Sequence, residues 1–227
     1  MKKILSLISV MFMGIGLFTG CNKGDCDDCI KTGDMTLDDI NELINSEKFW
    51  SGYDNPVAII PFNHIDGPKN EWKFYAIVNF QYKEATYVKY QVTYLSCTCR
   101  DPNINYWSTA YVELTTPTKP ENSKIRALTF DKDGANGHYT AGFWGDSDPI
   151  PNGTTFEDLK NDFIPLLVGR YKKDIDKYNT VVEMKQEGAL SQELYDSFTG
   201  ASVSTNNILR MLQALFNYHA ETYYAAK

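Results

Sequence analysis

Val88, Tyr90, Val92 and Tyr94 alternate with Lys89, Gln91 and Thr93, the period-two pattern of a strand that buries one face. Trp72 to Tyr82 alternates in part, and Lys83-Glu84-Ala85 lies between the two runs, so the pair predicts a hairpin. Tyr106 to Leu114 and Lys124 to Phe130 read as a second strand pair, linked by Thr116-Pro117-Thr118-Lys119-Pro120. Elsewhere the period changes. Leu37, Ile40, Leu43 and Ile44 give an apolar helical face running to about Lys48 behind a Thr36 cap. Phe156 to Val168 predicts a helix in which Pro165 marks a kink or stop, with Gly169 following closely. Ile208, Met211, Leu212, Leu215 and His219 recur at helical spacing, which predicts a helix from about Thr205 to Tyr223 that starts close to Ser202. No internal repeat interrupts this order. The expected class is α+β, an antiparallel sheet with packed helices.

The first residues follow another logic. Met1-Lys2-Lys3 is positively charged, Ile4 to Phe18 is apolar, and Thr19-Gly20 supplies small residues before Cys21. The run is short for a membrane span and has the form of a secretory signal with a lipobox-like end. The expected organisation is a signal peptide over 1–20, an acylated tether over 21–35 and an extracytoplasmic domain over 36–227, with lipidation at Cys21 anchoring the chain to the outer face of the cell membrane. Cleavage without lipidation is the alternative.

Charge narrows the partners. The chain carries a formal −7 with no long Lys/Arg cluster, and loss of Lys2 and Lys3 with the leader makes it more acidic by two, so nucleic acid is not expected. Its 15 Tyr supply rigid surfaces suited to a planar cofactor as well as to a core. With Cys21 lipidated, Cys26, Cys29, Cys97 and Cys99 remain, an even number suited to disulfides in an exported chain, with the pairing open. The Cys97-Thr98-Cys99 spacing is not that of a zinc knuckle, and no histidine follows at ligand spacing, so no metal site is expected.

The heptapeptide Asp196-Ser197-Phe198-Thr199-Gly200-Ala201-Ser202 places a hydroxyl at a Gly-Ala turn just where the C-terminal helix should open. Unpaired N–H donors and the positive end of the helix dipole favour a phosphate at such a point. Ser, Thr and Gly are also common there for capping alone.

The heptapeptide resembles the acceptor motif of the FMN-binding domain of covalently flavinylated electron-transfer proteins: Asp, two variable residues, Ser or Thr, Gly, Ala, then Thr or Ser. Every fixed position is matched. In that family an FMN transferase takes FMN from FAD and joins its phosphate to the last hydroxyl. The resemblance therefore implies FMN covalently attached to Ser202, with Gly200 and Ala201 admitting the phosphate, Thr199 in a supporting hydrogen bond, and Asp196 either recognised by the transferase or capping the turn. The family more often has Thr at the acceptor position. In the same family a loop of small residues after a strand pair borders the flavin. Here that loop would be Gly137 to Asp146, with His138, Tyr139 or Trp144 beside the ring, although the Glu-Thr-Pro-Gly usual there is missing.

Together with the leader, the pattern is similar to the flavinylated extracellular electron-transfer lipoproteins of Gram-positive bacteria. That likeness implies an FMN-binding-domain-like fold and a carrier rather than a classical enzyme, taking electrons from a membrane quinone-linked donor to extracellular acceptors such as ferric iron. It further implies that the released signal peptide could act as a peptide pheromone. The other reading is a ligand-binding or adhesive surface lipoprotein without cofactor, its aromatic loop binding carbohydrate or peptide. No Gly-x-Ser-x-Gly elbow or His-Glu-x-x-His helix marks a hydrolase.

Overall fold

The computed structural model describes residues 34–45, 55–65, 71–97, 106–130, 159–197 and 202–225. Five strands, β1 (Ala58–Ile65), β2 (Glu71–Lys83), β3 (Tyr87–Cys97), β4 (Tyr106–Thr115) and β5 (Ile125–Phe130), form one antiparallel meander in chain order. Helix α1 (Leu37–Ile44) precedes the sheet. A π-helical turn over Leu159–Phe163 and four short helices follow it: α2 (Ile164–Leu167), α3 (Lys172–Ile175), α4 (Val181–Gln186) and α5 (Gln192–Ser197). The chain then enters α6 (Ser202–Tyr224), 23 residues long. The coarse α+β expectation holds. Both anticipated strand pairs are present, and the Pro165 segment is a π turn joined to a one-turn helix.

The capping signal at Thr36 is realised in full. The Asp39 amide donates to Thr36 Oγ1 at 3.2 Å, and the Thr36 amide donates to Asp39 Oδ2 at 2.6 Å, a reciprocal box that satisfies two helix-end donors. The Thr36 contacts hold the Asp39 carboxyl below its usual range.

Helix α6 covers one face of the sheet. Val78, Val92 and Ala110 stand in one cross-strand row there, beside Tyr90 paired with Val112, and all are buried with Leu209, Leu212, Leu215 and Phe216. Burial of this kind contributes about 1.5–3 kcal/mol per large apolar side chain, which is how a helix with polar residues in both halves is held. The opposite face carries Ile77, Thr93 and Thr109, also buried.

Each sheet edge is capped over part of its length by tertiary contacts that the sequence pattern does not show. On β1 the odd-numbered residues turn their backbone groups outward: the Asn63 carbonyl meets Arg210, and both backbone groups of Ile65 meet Asn207. Pro61 shares that parity, so its missing N–H falls on the outer side, where an edge strand tolerates it. Beside β5 the segment Gly169 to Lys172 takes the place of a sixth strand. Gly169 N–H donates to the Ile125 carbonyl at 2.7 Å, Ile125 N–H to Arg170 at 3.0 Å and Lys172 N–H to Ser123 at 2.7 Å. Gly169 can make this turn because its φ is +88°.

β2 and β3 part company beyond the pair Ile77–Thr93. On that freed stretch the Lys73 N–H donates to Asp34 Oδ1 at 2.9 Å, and the Lys73 carbonyl accepts from the Met35 N–H at 2.7 Å. Residues just ahead of α1 thus dock where β3 has left.

Candidate functional site

Ser202 is the first residue of α6. Asn207, five residues on and so about 7.5 Å along the axis at 1.5 Å per residue, ties the helix to the sheet. Its Oδ1 accepts from the Ile65 N–H at 2.8 Å, and its Nδ2 donates to the carbonyls of Ile65 at 3.0 Å and Ser96 at 2.8 Å. One side chain thereby joins the ends of β1 and β3, and the helix starts beside those strand ends. Its neighbour Asn206 accepts from the Val181 N–H at 2.8 Å, fixing the start of α4 to the same turn.

No acidic residue lies in the first turn of α6, whereas α1 has Asp38 and Asp39 there. The positive end of the long helix is left without a carboxylate of its own first turn to offset it. Asp196 sits in the last turn of α5, exposed, its Oδ1 accepting from Gln192 Nε2 at 2.6 Å. Thr199, Gly200, Ala201, His138, Tyr139, Trp144, Cys21 and Cys99 lie outside the described residues. Cys97 is the last residue of β3.

Further along α6, Arg210 is almost wholly buried and fully engaged. It donates to the Asn179 carbonyl at 3.0 Å, the Asn63 carbonyl at 3.1 Å and Glu71 Oε1 at 2.6 Å. A cleft of about 560 Å3 opens beside it along the β1 edge, with Asn63, Glu71, Lys73, Gln213 and Asn217 in its walls. Its guanidinium and Glu71 are already paired, and Gln213 is spent on the carbonyls of Ile175 and Tyr178. Among the cleft's lining groups, Arg210, Glu71 and Gln213 are thus engaged in holding the fold.

The two described histidines, His64 and His219, are both buried. His64 is fully buried beside Phe62 and Phe74, and neither ring nitrogen has a partner. Burial, with the Arg210 charge adding to it, lowers its pKa to about 3. His219 is packed rather than solvent-tipped. Tyr90, Tyr223 and Tyr224 surround its ring. Among the described residues no group of three His, Cys, Asp or Glu side chains is placed to hold a metal ion, and no helix is long and apolar enough to cross a membrane.

Reading only the apolar periodicity of α6 left Asn206, Asn207, Arg210 and Gln213 unnoticed. The available signal was their position: long polar side chains interleaved with Ile208-Leu209 and Met211-Leu212, in a stretch buried on all sides from Thr205 to Leu212. No family model, curated protein or solved structure matches this chain.

Proposed function

We propose that this protein is a lipid-anchored electron carrier holding FMN by a phosphoester on Ser202. The observation that carries the reading is the coincidence of two independent features. The acceptor pattern ends at Ser202, and Ser202 opens a long helix with no acid in its first turn. The residues fit a phosphate: first-turn amides without intrahelical partners point out of such an end, and the dipole favours negative charge there.

Attachment is a transfer from FAD. The Ser202 Oγ–phosphorus bond forms, the pyrophosphate bond of FAD breaks, AMP leaves, and the hydroxyl proton goes with it. The flavin supplies the redox chemistry, and the chain supplies attachment, orientation and exclusion of water. Asn207, five residues on, ties α6 to β1 and β3. A covalent link suits an exported protein, since dilution outside the cell strips a cofactor held by contacts alone. A transferase, a membrane quinone-linked donor and an extracellular acceptor such as ferric iron are the partners this reading requires.

Co-expression with an FMN transferase tests it. After denaturation, wild type keeps flavin by intact mass and in-gel fluorescence, Ser202→Thr keeps it at least as well, and Ser202→Ala loses it. A flavinylated Ser202→Ala puts the site elsewhere, and a wild type never modified by a competent transferase ends the flavoprotein reading.

A further inference from the structure

We propose that Tyr90 and His219 form a redox pair, in which Tyr90 gives one electron to an outside oxidant while its phenolic proton crosses to Nδ1 of His219. The Tyr90 hydroxyl lies 2.7 Å from Nδ1, and Nε2 faces the Thr115 carbonyl at 3.2 Å. A carbonyl only accepts, so Nε2 carries the ring proton and Nδ1 accepts from Tyr90. The phenol is thus hydrogen-bonded in advance to a base, the arrangement that proton transfer requires. Burial, with the Tyr223 and Tyr218 hydroxyls adding to it, holds the Tyr90 pKa well above that of an ordinary phenol. Loss of an electron makes the same group strongly acidic, so the electron leaves as the proton does. His219 is neutral near pH 7, its pKa lowered to about 4 chiefly by burial, and has a lone pair ready to receive it.

A chain of rings joins the pair to solvent. Tyr90 is buried, and the Tyr218 ring stands edge-on to it at 6.3 Å between centroids. Tyr223 and Tyr224 lie 5.2 and 5.9 Å from the His219 ring. All three outer tyrosines are partly exposed. A β-bulge sets their surroundings. Pairing runs Val78 to Val92 and then Phe80 to Gln91, leaving Asn79 as an extra residue in β2. It turns Phe80 and Tyr82 away from α6 and brings Gln81 and Lys83 to it. There the Tyr218 hydroxyl donates to Gln81 Oε1 at 2.9 Å, and Lys83 Nζ lies 4.9 Å from the centre of the Tyr223 ring.

Those partners select Tyr90 as the place where an electron vacancy settles. The Tyr218 proton is held by an amide oxygen and the Tyr224 hydroxyl meets Ser123 Oγ at 3.4 Å, and neither acceptor is a base. The Lys83 charge opposes a vacancy on Tyr223. Of the four rings, Tyr90 is the one whose O–H points at a basic nitrogen. The step balances with an oxidant of the peroxyl-radical class. That oxidant takes the electron through the outer tyrosines, takes a proton from water, and becomes a hydroperoxide. Tyr90 becomes a neutral phenoxyl radical, and His219 an imidazolium whose two N–H groups face the phenoxyl oxygen and the Thr115 carbonyl. A one-electron donor such as ascorbate returns the electron, and His219 returns the proton. This inference stands apart from flavin attachment and is read on the unmodified protein.

Pulse radiolysis of the full chain with azide radicals, followed by freeze-quench EPR, tests it. Wild type is expected to collect the vacancy on one tyrosine whose spectrum carries an exchangeable proton coupling, lost after equilibration in D2O. Tyr90→Phe, which keeps the ring and its packing, abolishes that spectrum. His219→Gln slows its formation about a hundredfold, the usual worth of a positioned base. Tyr218→Phe and Tyr223→Phe delay the final species without changing it. The same spectrum in Tyr90→Phe overturns the proposal, as does a wild-type radical without the exchangeable coupling, or a folded His219→Gln that forms it at the wild-type rate. Should His219→Gln fail to fold, the Tyr90→Phe and D2O comparisons decide the matter by themselves.

Discussion

The Tyr90 hydroxyl donates to Nδ1 of His219 at 2.7 Å, because the other ring nitrogen, Nε2, faces the Thr115 carbonyl at 3.2 Å and must carry the proton. One imidazole thus joins α6 to β3 and to the end of β4 in a single neutral tautomer. Protonating Nδ1 removes the acceptor that Tyr90 uses, inside a cluster of tyrosines.

Stability therefore depends on pH. Burial, with Lys83 adding to it and the Thr115 contact opposing, lowers the His219 pKa to about 4. The folded value lies below the unfolded one near 6.5, so the unfolded chain binds more protons between them. Stability is complete above about pH 6.5 and falls as pH drops toward 4, by roughly 3 kcal/mol for this group. His64 acts in the same direction over a wider window. Urea melts at stepped pH values check this, and His219→Gln is expected to flatten the slope between pH 6.5 and 4 while lowering stability at pH 7.

Asn207→Leu is expected to destabilise the fold by about 3–5 kcal/mol, since three buried backbone groups of Ile65 and Ser96 lose their partner at once. Asn207→Asp keeps the acceptor for the Ile65 N–H and sets a charge against two carbonyls, so it is expected to fare no better. Chemical denaturation of both variants measures the difference.

The Arg210–Glu71 pair should respond asymmetrically. The Arg210 side chain is 5% exposed and that of Glu71 56%. Arg210→Ala removes a buried side chain and takes the partner from two part-buried carbonyls, and is expected to cost about 3 kcal/mol or more. Glu71→Gln keeps an acceptor at a wet site and is expected to cost under about 1 kcal/mol. Comparable losses in the two variants contradict this account.

Cys21 carries the expectation of a lipid anchor. Wild type should enter the detergent phase in partitioning and Cys21→Ala the aqueous phase, because two acyl chains anchor a protein stably where one does not. Equal aqueous release of both proteins removes the lipid anchor.

The strand pairs, the Thr36 cap and the long helix from Ser202 were legible in the sequence because each is a local pattern: alternation, a capping residue, an apolar stripe. β1 was not, since Pro61, Asn63 and His64 break its alternation with residues that make sense only at an edge capped by Asn207 and Arg210. The three short helices from Lys172 to Ser197 were equally hidden, each too brief to show a period.

The sequence by itself determined the α+β order, and it carries the heptapeptide ending at Ser202 and the apolar run before Cys21 on which the proposed function rests, all in residues close together along the chain. The tertiary structure alone decided which way Phe80 and Tyr82 point, where Lys73 finds partners after β3 departs, and that His219 is neutral and bonded on both nitrogens. Those outcomes depend on one extra residue in a ladder and on contacts between residues up to 129 positions apart, as from His219 to Tyr90. Local periodicity carries no information about either.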